Sequence, residues 1–173
     1  MTGLRRNIEL KARCADLSRA ASAAEKLGAR RQGILEQLDT YFHCRQGRLK
    51  LRETAGVAEA QLIWYARTDS TDFRGSDYYV VPIPKPLETR LALAAALGIR
   101  GKVSKRRELW LWHNVRIHLD DVAGLGTFVE FEAVKGEGES DEQSLERLAT
   151  LARALDIGET DRIAVSYSDL LGL

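Results

Sequence analysis

Charged side chains recur at every second position in several stretches of this chain. Asn7-Ile8-Glu9-Leu10-Lys11 is the first and Arg48-Leu49-Lys50-Leu51-Arg52 the second; Lys105-Arg106-Arg107, Arg116-Ile117-His118-Leu119-Asp120 and Glu130-Phe131-Glu132 follow. Successive side chains of a β-strand point to opposite faces, so each stretch puts its charges on one face. Gathered on one enclosed surface, Lys11, Lys50, Arg52, Arg67, Lys105, Arg107 and Arg116 suit a polyanion, because guanidinium forks match phosphate oxygens. The acidic set is Glu9, Asp120, Glu130 and Glu132. Glu130 and Glu132 on one face, near Glu9, suit a hard divalent cation such as Mg2+, which takes few protein carboxylates and keeps sites for phosphate oxygens. A basic lining with a carboxylate cluster is the composition of metal-assisted phosphoryl chemistry. Neither a Walker A loop nor a glycine-rich dinucleotide loop is present, which argues against a conventional P-loop enzyme.

The elements that must position these residues follow from the same alternation. Residues 4–13 read as a strand. Asp16 can N-cap a helix running to Leu27, with Gly28 as its stop. Residues 32–44 read as a long strand that turns at Gln46-Gly47 into Arg48–Glu53, and a further strand covers 59–67. The polar stretch 68–76 reads as a loop before the strand Asp77–Ile83. Pro84 and Pro86 break that strand and lead into a second helix ending near Leu97, capped by Gly98. A hairpin spans 101–112 and 114–120, a strand 127–134, and a loop 136–138. Ser140 with Gln143 fits a capping box for a third helix ending near Leu155. Residues 167–171 suit one last helical turn.

About eight strands joined mostly by short turns predict a mainly antiparallel sheet. Ile8, Leu10, Leu49, Leu51, Ile117, Leu119, Val129 and Phe131 lie on the faces opposite the charges and need burial. Helical Leu91, Leu97, Leu145, Leu148 and Leu151 could cover them. If the sheet stays open, the charged face meets water. If it closes into a barrel, that face lines a lumen with just enough room for side chains or one small ligand. Such a lumen needs carboxylates and a bound anion to compensate its Lys and Arg charge.

Composition narrows the classes. The chain has 173 residues, 45% of them hydrophobic, enough for one domain with a sizeable core. Its 26 basic residues balance 25 acidic ones, which argues against a general nucleic-acid binder. No apolar run approaches the roughly 20 residues of a membrane span. The opening Met-Thr-Gly-Leu-Arg-Arg lacks the apolar stretch of a signal peptide, so the expected location is the cytoplasm. Cys14 and Cys44 share no metal-ligand spacing with each other or with His43, His113 or His118, and read as reduced thiols.

In order and spacing, these segments resemble the CYTH family of triphosphate tunnel metalloenzymes, and within it the class IV adenylyl cyclase-like branch. The resemblance is carried by Arg6-Asn7-Ile8-Glu9-Leu10-Lys11, which is similar to the family's opening Glu-x-Glu-x-Lys strand. It continues through Gly47–Glu53, Leu62–Arg67, Lys105–Arg107, Val115–Asp120, Gly124–Glu132 and Tyr167–Leu171. It covers nearly the whole chain and implies one domain, residues 1–173. The implied fold is α+β: a closed antiparallel eight-stranded β-barrel, the triphosphate tunnel, with helices packed outside. The resemblance implies triphosphate contacts from Lys11, Lys50, Arg52, Arg67, Lys105, Arg107 and Arg116. It implies Mg2+ or Mn2+ as cofactor on Glu130 and Glu132, with Glu9 assisting and Asp120 orienting basic neighbours or a second metal. A homodimer is compatible with it, and neither a membrane nor nucleic acid is an expected partner. One departure stands out: the first glutamate of the opening motif is Asn7 here, whose amide oxygen can ligate a metal but without a charge.

Two reactions are associated with such a tunnel. In one, the 3′-hydroxyl of ATP attacks the α-phosphorus, giving cyclic AMP and pyrophosphate. In the other, water attacks a terminal phosphorus of inorganic triphosphate, thiamine triphosphate or a nucleotide. Both need in-line positioning and charge neutralisation. Lys11 is the candidate general base, since neighbouring cations lower a lysine's pKa, or else only a phosphate ligand. Glu9 is the second catalytic candidate, or else a salt-bridge partner for arginines. Asp39 and Tyr41 read as structural, His118 as a strand residue facing an arginine, and Trp64, Trp110 and Trp112 as packing residues. A non-catalytic polyphosphate- or nucleotide-binding protein is the main rival from another class, and an RNA-binding module the outside one.

Overall fold

Alternation becomes strand wherever the apolar half has a helix to cover it. In the computed structural model, which describes residues 3–136, 138 and 140–173, eight strands form: β1 (Arg5–Arg13), β2 (Arg30–Phe42), β3 (Arg48–Thr54), β4 (Ala60–Arg67), β5 (Arg74–Ile83), β6 (Ile99–Trp112), β7 (Val115–Val122) and β8 (Gly126–Val134). They close into one antiparallel barrel in the order β1-β5-β4-β3-β2-β6-β7-β8, with β8 returning to β1. Hairpins join neighbours. The two connections between strands that are not neighbours, β1 to β2 and β5 to β6, run through α1 (Leu17–Lys26) and α2 (Pro86–Leu97). Met1, Thr2, Glu137 and Glu139 lie outside the described residues, Glu137 falling in the loop predicted for 136–138.

Two clusters hold the outside of the barrel. Ile8, Leu10, Ile117, Leu119, Val129 and Phe131, from the outer faces of β1, β7 and β8, are buried under α1 and α3 (Asp141–Ala154), with Leu148 and Leu151 fully enclosed. Burying each such side chain stabilises the fold by about 1.5–3 kcal/mol. Asp16 caps α1 by accepting from Arg19 N, and Ser140 with Gln143 forms the predicted capping box on α3. On the opposite side, Leu93 and Ala94 of α2 pack on Phe42, Leu51 and Ala60.

The differences from expectation have simple causes. Leu91 and Leu97 of α2, and Leu145 of α3, are exposed rather than buried. α2 is apolar nearly all round, so its sequence does not mark the inward face. The loop predicted for 68–76 is shorter, because β5 begins at Arg74: Gly75 and Ser76 extend its ladder against Ile8 and Asn7. Glycine and serine carry little strand signal, so the extension is invisible locally.

The third cluster lies inside the barrel. Tyr41, Val103, Val122 and Phe128 face the lumen near one end, and Tyr167 of the short α4 (Tyr167–Leu170) inserts between them. Ile163 N donates to Lys11 O, and Asp169 accepts from Arg48 and Arg100, so the C-terminal segment is tied to the barrel wall as a stopper. One end of the tunnel is therefore sealed and the other open. No helix among the described residues is long and apolar enough to cross a membrane.

Candidate active site

The lumen is a cavity of about 340 Å3. Each predicted phosphate contact reaches it: Lys11, Lys50, Arg52, Arg67, Lys105, Arg107 and Arg116, joined by Glu9, Glu130 and Glu132. Arg106, between two lining residues, points outward and pairs with Glu36 at 3.6 Å. The lining is thus the alternate set of each strand, as the pleat requires.

On the wall formed by β2, β3 and β6, Asp39 is a hub. Its carboxylate accepts from Lys50 Nζ at 2.9 Å, Arg52 Nε at 2.7 Å and Lys105 Nζ at 2.7 Å. Burial pushes the Asp39 carboxyl up, but Arg52, Lys105 and Lys50 outweigh it and hold it well below the usual carboxylate range. Three cations on one carboxylate leave this wall in need of an anion. Asp39 thus gathers cations from both neighbouring strands.

The wall formed by β1, β7 and β8 has the opposite character. Lys11 pairs with Glu130 at 3.1 Å, and Arg116 with Glu132 at 2.9 Å. His118 lies 3.4 Å from Glu130 and 3.9 Å from Glu132, with Arg107, which reaches the same Glu130 oxygen, near enough to push its pKa down after burial. Ligand atoms of His118, Glu130 and Glu132 lie within 4.8 Å of one another, a group that could hold a metal ion. Burial pushes Glu130 up, but Lys11, His118 and Arg107 together hold it well below its ordinary value. Beside them, burial first and Glu130 next push Glu9 up, against the pull of Arg67 and Arg74.

Glu9 and Asp120 stand outside that three-residue group. Glu9 is engaged by Arg67 at 3.2 Å and Arg74 at 3.1 Å. Asp120 accepts a two-pronged bond from Arg107 at 2.7 and 2.6 Å, and a third bond from the Tyr167 hydroxyl at 2.8 Å. Its oxygens are committed to orienting Arg107. Arg107 also reaches Glu130 at 3.2 Å and so links the two walls. Lys11 Nζ sits 3.8 Å over the Tyr167 ring, and burial, with Arg67, pushes its pKa down. Asn7 is buried in the lining, and its Oδ1 has no hydrogen-bond partner. The donor set therefore fits a hard or borderline divalent cation: two carboxylates and one imidazole, with an unpartnered amide oxygen nearby on the same lining.

Sequence reasoning missed His118 in this group, although Arg116 and Asp120 on the same face pointed to it. It missed Arg74, hidden by the weak strand signal of Gly75-Ser76, and Tyr167, whose role depends on docking from far along the chain.

The sequence pattern of the CYTH domain family matches residues 5–167. This chain belongs to the CYTH domain family. A Methanocaldococcus jannaschii protein named as a candidate adenylate cyclase is 32% identical over 71 residues, a stretch spanning 41% of this CYTH chain and 41% of the relative. A solved Pyrococcus horikoshii structure superposes with TM-score 0.82 at 24% identity, covering 95% of this chain and 98% of its own. A Hippeastrum protein, named as a candidate adenylyl cyclase with a dominant triphosphatase activity, superposes with TM-score 0.65 at 15% identity, covering 95% and 93%. At these identities the structures share the CYTH tunnel fold.

Proposed function

We propose that the tunnel binds a triphosphate with Mg2+ or Mn2+ and catalyses reaction at phosphorus, with conversion of ATP to cyclic AMP and pyrophosphate as the first reading. The supporting observation is the opposition of the two walls in one cavity: surplus cations around Asp39 face the group of Glu130, Glu132 and His118. Lys50, Arg52 and Lys105 hold phosphate oxygens, and Arg107, oriented by Asp120, reaches across. Glu130 and Glu132, with His118, would hold the metal, which when bound supplies charge neutralisation and polarises phosphoryl oxygens. With those carboxylates engaged, Lys11 and Arg116 are released from their ion pairs and turn to phosphate. In the neutral form that burial favours, Lys11 would instead accept a proton from a nucleophile that reaches the sealed end of the tunnel.

Hydrolysis of a terminal phosphorus is the second reading, and the depth of Lys11 favours it. Lys11 lies against Tyr167 at the sealed end. A triphosphate entering from the open end carries its terminal phosphorus deepest, toward Lys11, where a water could be activated. The Hippeastrum protein's name also fits this reading.

One incubation series decides between them. ATP, inorganic triphosphate and thiamine triphosphate are supplied with Mg2+ or Mn2+, and products are read by phosphorus NMR. Cyclic AMP with pyrophosphate supports cyclisation, and orthophosphate supports hydrolysis. Tight triphosphate binding without any product would sink both and leave a binding protein.

A further inference from the structure

Two arginines share one carboxylate oxygen near the sealed end of the tunnel. Arg74 faces Glu9 across the β1–β5 ladder and donates from Nε to Glu9 Oε1 at 3.1 Å. Arg67 Nη1 lies 3.2 Å from the same oxygen. Each also holds the C-terminal segment: Arg74 Nη1 donates to Ile163 O at 3.0 Å, and Arg67 Nη1 to Ala164 O at 3.1 Å. These carbonyls lie just before Ser166, the cap of α4, which carries Tyr167 into the lumen. Arg74 Nη1 donates in addition to Ser70 O, in the loop before β5.

The two guanidiniums differ in what they can release. Arg67 lines the cavity, open to a ligand, whereas Arg74 is 3% exposed and takes no part in the lining. A phosphate that draws Arg67 away removes the bond at Ala164 O and takes from Glu9 one of its two cations. Arg74 has a donor to spare: its Nη2 is buried without a hydrogen-bond partner. Nε and Nη2 form the guanidinium edge that grips a carboxylate in two-pronged fashion. Arg52 grips Asp39 that way, and Arg107 grips Asp120. On Arg74 only half of that edge is used, and departure of Arg67 frees Glu9 to fill the other half.

We propose that Arg74 is a positioning residue: it keeps Glu9 and the C-terminal segment in place while Arg67 exchanges both for phosphate. This division of labour rests on the triphosphate reading above. Arg67 binds, and Arg74 keeps the far end of the tunnel sealed around what is bound. A lysine cannot stand in for Arg74 here, because one ammonium lacks the planar fork that meets a carboxylate and two carbonyls at fixed angles.

The test is hydrogen exchange of the full chain, read at peptides covering residues 163–171, with and without saturating inorganic triphosphate and Ca2+. In the wild type, exchange there should be no faster with triphosphate than without it. In Arg74→Met, triphosphate should speed it about tenfold, because Arg67 then leaves and neither carbonyl keeps a guanidinium donor. Arg74→Lys should show the same rise, which separates the fork from the charge. Arg67→Met, with the exchangeable donor gone, should show no rise. A wild-type segment that loosens on binding would overturn the proposal, and that measurement needs no variant to fold. So would an Arg74→Met segment loosened equally with and without triphosphate, the sign of a merely structural residue. Calorimetric titration of the same samples reports binding. Binding without the ligand-dependent rise overturns the role of Arg74 but leaves the triphosphate reading standing. Failure of the wild type to bind inorganic triphosphate overturns both.

Discussion

The two walls of the tunnel use the same device, strand alternation, to opposite ends. On β2, β3 and β6 a single carboxylate, Asp39, holds Lys50, Arg52 and Lys105. On β1, β7 and β8, Glu9 and Glu132 stand opposite one another in the ladder, with Glu130 beside them. The first wall leaves positive charge to be neutralised by a ligand. The second crowds negative charge, which Lys11 and Arg116 offset through their ion pairs with Glu130 and Glu132. Neither wall alone specifies chemistry. Facing each other across one lumen, they are complementary to an anion and a cation.

Substitutions can break this opposition, and the largest effect should come from the acidic wall. Exchanging Glu130 or Glu132 for Gln should lower metal-dependent turnover by about a thousandfold, the upper range for one electrostatic group. Phosphorus NMR of product formation measures it. A rate unchanged from wild type would disprove the assignment of these carboxylates to the metal.

Asp39→Asn attacks the basic wall. It leaves three buried cations without their common counter-charge and should destabilise the fold by about 3–5 kcal/mol. Inorganic triphosphate, supplying negative charge to the same cations, should raise the variant's Tm more than the wild type's. A Tm insensitive to the substitution would show that the hub is dispensable.

The same carboxylate sets an acid limb. Its folded pKa is depressed, so its stabilisation is complete above the unfolded value of about 4 and is lost as pH falls through the folded value. Thermal melts of the wild type should decline over that acid window, and Asp39→Asn should decline less. Parallel curves would assign the acid limb to other groups.

Lys50→Ala should weaken triphosphate affinity by about ten- to a hundredfold, the loss of a charge-assisted hydrogen bond of roughly 1.5–3 kcal/mol. The smallest effect belongs to Arg106→Ala, in the same sequence run but on the outer face. It should change stability by less than about 0.5–1 kcal/mol and leave triphosphate affinity unaltered. An Arg106 effect matching that of Lys50 would mean that alternation does not sort these residues.

Much of the site was legible because the strand period is two. Once Glu9, Lys50, Arg107 and Glu130 are placed on strands, their i±2 neighbours must share their face. The outer helices were legible from caps, as with Asp16, Ser140 and Gln143. The inward face of α2 was not, since a helix apolar all round carries no periodic signal.

The sequence by itself determined which side chains share each strand face, that both signs of charge recur there, and, through the order of its motifs, the family. Tertiary structure alone decided the partners. That Asp39 collects cations from two other strands, that His118 joins Glu130 and Glu132, and that Tyr167 seals one end depend on closure and register between strands distant in sequence. Alternation fixes a direction within one strand, but the distance between charges on different strands is set by the barrel that closes around them.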